Sequence, residues 1–314
     1  MSLANWWDHA LARCGFNRMG HRVEPGIYAI GHPSPDSPVF VTANYTLSFD
    51  SLRTALAGTD CYVMVLDTLG VNVWCAAGKG TFGTEEVVRR IESTGLSQLV
   101  RHRKVVLPQL SAPGVAAHDV KRRTGFKVEF GPVRAADLPE YLRRGTPTPE
   151  MRRVRFTLRD RLVLVPVEIH GVLPWFLAAA VVQVLTGNSG AILPLAVSML
   201  SGAALFPILL PWIPTRQFSG KGLILGGLAA VPFAISVVLP DSAGGVQLYQ
   251  ALKAANRLLV LPPITAFISL NFTGSTTFTS RTGVRREISR FIPVMAAMFG
   301  VGLALSIALS FWKG

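Results

Sequence analysis

The sequence predicts an α/β domain followed by an all-helical membrane domain of five spans. Three observations predict it. Between residues 36 and 144, short apolar runs alternate with helical patterns; after residue 170 come five long apolar stretches; and charged residues crowd beside those stretches rather than within them. Half of the 314 residues are hydrophobic and only 16% are charged, where a soluble globular chain carries about 25%.

The elements follow in order. Residues 1–35 read as an N-terminal amphipathic segment holding Trp6, Trp7, Cys14 and Phe16, suited to rest on a membrane or a partner. The opening residues show no basic stretch leading into an apolar run, so no cleavable signal peptide is expected. Pro38-Val-Phe-Val-Thr-Ala-Asn44 reads as a strand and Ser48 to Gly58 as a helix with Leu52, Ala55 and Leu56 on one face. Cys61-Tyr-Val-Met-Val-Leu-Asp67 is continuously apolar up to its last residue, as in a strand buried on both faces. Thr84 is placed to cap a helix with Val87, Val88 and Ile91 at helical spacing. Lys104-Val-Val-Leu-Pro108 and Lys127-Val-Glu-Phe-Gly131 read as further strands, with helices over Ala116 to Thr124 and Ala135 to Arg144. This alternation implies βα units on a mostly parallel sheet over residues 36–150. Ligands bind beyond the carboxyl ends of such strands, which directs attention to the loops after Asn44, Asp67, Pro108 and Gly131.

A basic linker over 151–170 leads to the helical region, 171–314. Its apolar stretches run over 171–187, 190–213, 222–240, 258–273 and 291–312, each near the ~20 residues that cross a bilayer. Arg152, Arg153, Arg155, Arg159 and Arg161 precede the first, Arg216 and Lys221 sit between the second and third, and Arg281, Arg285, Arg286 and Arg290 between the fourth and fifth. The first outer loop is uncharged, and the loop with Asp241, Lys253 and Arg257 is mixed. The positive-inside rule then expects a multi-pass protein of the inner membrane, with the α/β domain cytoplasmic and the C-terminus outside. The net charge of +13 is accounted for by these flanks; no basic stripe interleaved with aromatics suggests a nucleic-acid site. The Thr/Ser-rich run 273–280 could cap helices or form a docking surface.

Three cysteines, Cys14, Cys61 and Cys75, make a disulfide framework improbable. Cys61 opens a buried strand and reads as core. None of the six histidines has a partner at useful spacing. Cys75 lies in Asn72-Val-Trp-Cys-Ala-Ala-Gly-Lys79, just past a strand. Ala76, Ala77, Gly78 and Gly80 permit close approach of a flat macrocycle, Trp74 adds a flat face, and Lys79 is near enough to favour a thiolate, which suits cobalt. The plain alternative is a small packing residue, since unpaired cysteine is commonly buried. No second cysteine or histidine at ligand spacing supports zinc, and Gly78-Lys-Gly80 lacks the spacing of a phosphate loop.

Asn72-Val-Trp-Cys-Ala-Ala-Gly-Lys79 resembles the cap-helix signature of the corrinoid protein of the mercury-methylation pair. Pro38 to Phe49, Val106 to Pro113 and Gly131 to Pro139 resemble segments of the corrinoid-binding domain of the corrinoid iron–sulfur protein family, and the five-span tail with Asn271 to Ser280 also resembles the mercury-methylation protein. The likeness covers nearly the whole chain.

The resemblance implies a Rossmann-like or flavodoxin-like corrinoid-binding domain fused to a five-helix membrane domain. It implies a corrinoid cofactor, cobalamin or a related cobamide, with Cys75 as the lower axial ligand of cobalt. It implies a methyltransferase that passes a methyl group through a methyl-cobalt intermediate to mercury(II), giving methylmercury as a carbanion equivalent or by a radical route. The methyl comes from a methylpterin-dependent donor protein. A small ferredoxin-like partner with two [4Fe–4S] clusters restores low-valent cobalt, since three cysteines are too few for a cluster in this chain. Cofactor contacts are expected from Thr42, Ala43, Asn44, Asn72, Val73, Trp74, Cys75, Ala76, Ala77, Gly78, Lys79, Pro108, Gln109 and Leu110. A corrinoid carrier for another acceptor, and a ligand-sensing receptor or transporter, stand as alternatives; the second would need polar groups inside the spans, which are scarce.

Overall fold

Four runs of alternating inward residues build the centre of a mixed five-stranded sheet. The computed structural model describes residues 3–239, 248–276 and 279–312. The chain divides into an α/β unit reaching to Arg155 and a helical unit from Phe156.

In the α/β unit, β1 (Gly26–Ile30), β2 (Val39–Ala43), β3 (Cys61–Leu66), β4 (Lys104–Leu107) and β5 (Lys127–Phe130) lie in the order β1-β3-β2-β4-β5. β2, β3, β4 and β5 are parallel; β1 pairs antiparallel with β3 and closes one edge. The helices are α1 (Leu3–Cys14), α2 (Thr46–Ala55), α3 (Val73–Lys79), α4 (Thr84–Ser93), α5 (Leu96–Leu99), α6 (Ala117–Thr124) and α7 (Leu138–Arg144). Side chains alternate between two cores, as period 2 requires. Val39, Val41, Met64, Leu66, Val105 and Leu107 face Phe82, Val87, Ile91 and Phe126 on one side. Phe40, Val63, Val65 and Val106 face Phe49, Leu52, Leu138 and Tyr141 on the other. A sheet covered on both faces explains why its strands read as unbroken apolar runs.

The sequence reading started the sheet after residue 35 and left out β1. Tyr28 and Ala29 sit at the half-covered edge, so the run lacks the apolar continuity that marked its neighbours. Thr84 is not the cap of α4: Gly83 holds that position, and the Thr84 hydroxyl accepts a hydrogen bond from Ala116 N at 2.9 Å, tying α4 to the start of α6. Two histidines do find partners: His9 Nε2 lies 2.8 Å from Asp50 and His21 Nδ1 2.5 Å from Asp8, fastening α1 by its polar face.

The helical unit has five helices long and apolar enough to cross a membrane. The first comprises α8 (Leu158–Leu162) and α9 (Val165–Leu185); the second comprises α10 (Ile192–Leu200), a π-turn over Ser201–Leu205 and α11 (Phe206–Leu209). The others are α12 (Phe218–Val238), α13 (Leu248–Asn271) and α14 (Arg281–Ser310). The expected loop with Lys253 and Arg257 is instead the first turns of α13, and Arg285, Arg286 and Arg290 lie within α14 rather than in a loop. Charge interrupts hydropathy without interrupting a helix, so the first, fourth and fifth spans extend well beyond their expected starts. Asp241 and residues 277–278 lie outside the described residues. Within the run 273–280, Ser280 caps α14 through Gly283 N and Thr279 donates to the Thr273 carbonyl.

Two basic residues of the flanks have structural duties. Arg161 Nη1 donates to the carbonyls of Pro207 (3.0 Å) and Ile208 (2.6 Å), and Lys221 Nζ to those of Leu210 (2.7 Å) and Ile213. Both cap the carbonyl end of the second span, where unpaired acceptors and the helix dipole favour a cation. Gly222 and Gly226 let α12 press on α13: a Cβ at Gly222 would stand 2.6 Å from Ala266 Cα, and one at Gly226 2.8 Å from Pro262 Cα.

Candidate functional site

The site is built at the carboxyl ends of β2, β3 and β4. Renumbered without the edge strand β1, the parallel strands run 2-1-3-4, and the direction of winding reverses between β2 and β4. In open α/β sheets a crevice forms at such a reversal. Asn44 follows β2, and Pro108, Gln109 and Leu110 follow β4, so the expected residues of these two loops flank it.

Asn44 is 2% exposed and organises the loop after β3. Its Oδ1 accepts from Thr68 N (3.1 Å) and Gly70 N (2.9 Å) and lies 2.8 Å from Thr68 Oγ1. Its Nδ2 donates to Asp67 Oδ1 at 3.3 Å, and that carboxylate oxygen also accepts from Leu69 N. The chain turns tightly here: Leu69 and Gly70 both have positive φ, +58° and +74°. A Cβ on Gly70 would come 2.6 Å from the Met19 carbonyl, so glycine is required by space as well as by φ. From the other side, Glu86 Oε1 accepts from Asp67 N at 2.8 Å while its carboxylate pairs with Arg89 and Arg90. Neither Thr68 nor Glu86 stood out in the sequence, because each acts across more than 18 residues of chain.

This turn delivers α3. Asn72 caps it, accepting from Cys75 N at 2.9 Å. Cys75 is half-buried in the first turn; Lys79 follows one turn later on the same side and is exposed. Ala76 and Ala77 are buried and set the helix on the core, while Val73 and Trp74 are half-buried. Gly80 ends the helix with φ +89°. α3 lies against the 3-10 turn Gln109–Ser111 and the loop beyond it. A Cβ at Gly114 would stand 2.4 Å from the Phe82 carbonyl and 3.1 Å from Ala77 Cα, so Ala77 and Gly114 let two backbones touch. Gly114 is a positioning residue the sequence reading missed.

Two further features mark the surroundings of α3. A Cβ at Gly78 would meet nothing within 4 Å, so the outer face of α3 opens onto free space. Gln109 Oε1 is buried without a hydrogen-bond partner among the described residues. Thr42 (3% exposed) and Ala43 (fully buried) instead lie inside the sheet.

Cys61 contrasts with Cys75. It is fully buried, and burial, with Asp60 adding to it, pushes its thiol up to about 11. Among the described residues no group of three or more His, Cys, Asp or Glu side chains could hold a metal ion.

Residues 17–142 match the family described as CdhD, CO dehydrogenase/acetyl-CoA synthase delta subunit. Over 127 residues, 40% of this chain and 27% of the relative, the sequence is 39% identical to the acetyl-CoA decarbonylase/synthase complex subunit gamma of Methanopyrus kandleri. The same subunit of Archaeoglobus fulgidus is 34% identical over 131 residues, 41% of this chain and 27% of the relative. That of Methanocaldococcus jannaschii is 32% identical over 128 residues, 40% and 26%. The match spans about a quarter of the length of these curated relatives, and the family match ends before the helical unit.

Proposed function

We propose that this chain is a membrane-held corrinoid protein whose Cys75 would supply a thiolate ligand to cobalt and which passes a methyl group to mercury(II). The observation that carries the corrinoid reading is the placement of Cys75, on the Asn72-capped helix α3 that packs against the turn holding Gln109, at the strand-order reversal. A Rossmann-like, flavodoxin-like reading of the α/β unit accords with that strand order. Similarity to subunits of an acetyl-CoA decarbonylase/synthase complex supports one-carbon transfer chemistry. The choice of mercury(II) as acceptor rests on the resemblance of the Cys75 run and the five-span tail.

The residues fit a flat, amide-rimmed group. Gly78 leaves the outer face of α3 without a Cβ, and Trp74 and Val73 offer half-buried apolar surface. Cys75 would supply a soft thiolate to cobalt. When bound, a corrinoid supplies a nucleophilic cobalt centre that accepts and releases methyl groups. Asn72 holds the amide of Cys75 and so fixes the position of its sulfur. Asn44, with Thr68 and Gly70, holds the loop that sets the height of α3 above the sheet. The turn at Pro108, Gln109 and Leu110 with Gly114 excludes water beneath α3. Ala76 and Ala77 seat the helix; Lys79, at its exposed end, is placed for the rim of the group.

The proposed partners are a small ferredoxin-like protein with two [4Fe–4S] clusters as reductant and a methylpterin-dependent methyl donor protein. The proposed location is the inner membrane, with the α/β unit on the cytoplasmic side. Exposed Trp175, Leu177, Val181 and Leu185 on α9, which has no buried residue, support lipid contact. The relatives' membership of an acetyl-CoA-forming complex favours one second reading, a methyl carrier for a different acceptor. Full-length protein loaded with corrinoid, methyl donor and reduced partner separates the two. Methylmercury formed with mercury(II) supports the first reading; loss of the methyl group only to a thiol or nickel acceptor supports the second.

A further inference from the structure

We propose that the helical unit carries a binding site for a phosphate group, of the kind borne by an anionic phospholipid headgroup, between the starts of α12 and α14. A cavity of about 290 Å³ lies there. Its lining includes Arg216, Arg286 and Arg290 together with Ser280, Glu287 and Phe291. Three guanidinium groups at one cavity are mutually repulsive, and among the described residues no ion pair engages any of them. The one carboxylate in the lining is committed elsewhere: Glu287 Oε1 accepts from Ser219 N at 2.5 Å, at the first turn of α12. Ser219 Oγ, fully buried at the same turn, has no hydrogen-bond partner among the described residues.

The sequence arranges these groups without waste. Arg286 and Arg290 are four residues apart and so share one face of α14. Arg290 lies over the Phe291 ring, 5.8 Å from its centroid, which holds part of its side chain in place. Arg216 comes from the segment before α12. The cavity sits where two apolar helices begin, which is the depth of lipid headgroups if those helices span a bilayer. A bidentate arginine matches phosphate oxygens better than a lysine would. The site rests on the membrane-spanning reading of the helical unit but not on the corrinoid reading.

The test uses purified full-length protein in a neutral detergent. Its melting temperature and lipid retention are followed while phosphatidylglycerol, phosphatidylcholine or inorganic phosphate is added. The expected result is a rise in Tm with phosphatidylglycerol and none with phosphatidylcholine. Replacing Arg216, Arg286 and Arg290 together by glutamine should weaken phosphatidylglycerol binding on the order of a hundredfold, roughly fivefold for each basic residue. A control removes equal charge at the exposed Arg152, Arg153 and Arg155 and should leave binding unchanged. Equal loss in both triple variants would mean diffuse attraction and would overturn the site. Saturation by inorganic phosphate that displaces the lipid would uphold the phosphate site and assign it to free phosphate. Extraction of membranes with alkaline carbonate keeps the two readings apart. Protein released by carbonate contradicts the spans themselves, whereas protein that stays but ignores phosphatidylglycerol overturns only the site.

Discussion

Cys61 and Cys75 lie at opposite edges of the sheet, one opening β3 and the other following it, and they differ in burial. Cys61 opens β3 at the amino edge of the sheet, fully buried, its thiol pushed up to about 11. Cys75 follows β3 at the carboxyl edge, half-buried in the first turn of α3, with its backbone amide held by Asn72. The same residue type becomes packing at one edge and a candidate ligand at the other. The difference lies in what each edge must do. The amino edge seals a core, whereas the carboxyl edge ends in loops that Asn44 and Glu86 hold open and fixed.

Four changes would break or sharpen that contrast. The largest concerns reactivity. At pH 8 a thiol with a pKa of about 11 has a thiolate fraction on the order of one in a thousand. Iodoacetamide should therefore label Cys75 and leave Cys61 untouched in the folded, corrinoid-free protein, as read by peptide mass spectrometry. Equal labelling would erase the distinction between the edges. Next, Asn44→Ala removes an acceptor shared by three donors, two of them buried backbone amides. It should cost about 3 kcal/mol of stability and weaken corrinoid binding with it; urea melts read the first and a cofactor titration the second. A smaller effect is expected for Asn72→Ala, which removes the cap of α3 and should cost about 1 kcal/mol. Unlike the Asn44 variant, it should disturb the cobalt spectrum more than the melt.

The smallest effect is a pH dependence at α1. Burial works against the charged form of His21, but the Phe16 carbonyl and the Asp8 carboxylate outweigh it and raise its pKa above 6.5. A raised folded pKa stabilises the protein fully below 6.5, and the gain is lost as pH rises through the folded value. Tm should fall slightly from pH 6.5 into the mildly alkaline range, and His21→Gln should flatten that slope. A slope of the opposite sign would mean that Asp8 does not carry its charge beside the ring.

The sequence made the buried strands legible because both faces are covered, so Cys61 to Leu66 has no polar residue to mislead. It also exposed the motif around Cys75, where Ala76, Ala77, Gly78 and Gly80 cluster just past a strand. Less was legible where partners are distant in the chain. Asn44 read as a turn former, yet its hydrogen bonds run to residues 67–70. The burial of Gln109 Oε1 has no sequence signal at all. The edge strand β1 was missed because half-exposed strands lack continuous hydropathy. In the helical unit, Lys253, Arg257 and Arg286 were read as loop markers, although long basic side chains sit comfortably in the end turns of a spanning helix.

The most direct test is the visible spectrum of corrinoid bound to the full-length protein, wild type against Cys75→Ala, with methylmercury formation measured on the same samples. The account predicts that the variant still binds corrinoid, that its cobalt absorption shifts as the sulfur ligand is lost, and that methylmercury falls to background. An unchanged spectrum in the variant would contradict it, leaving Cys75 as a packing residue and the axial ligand elsewhere.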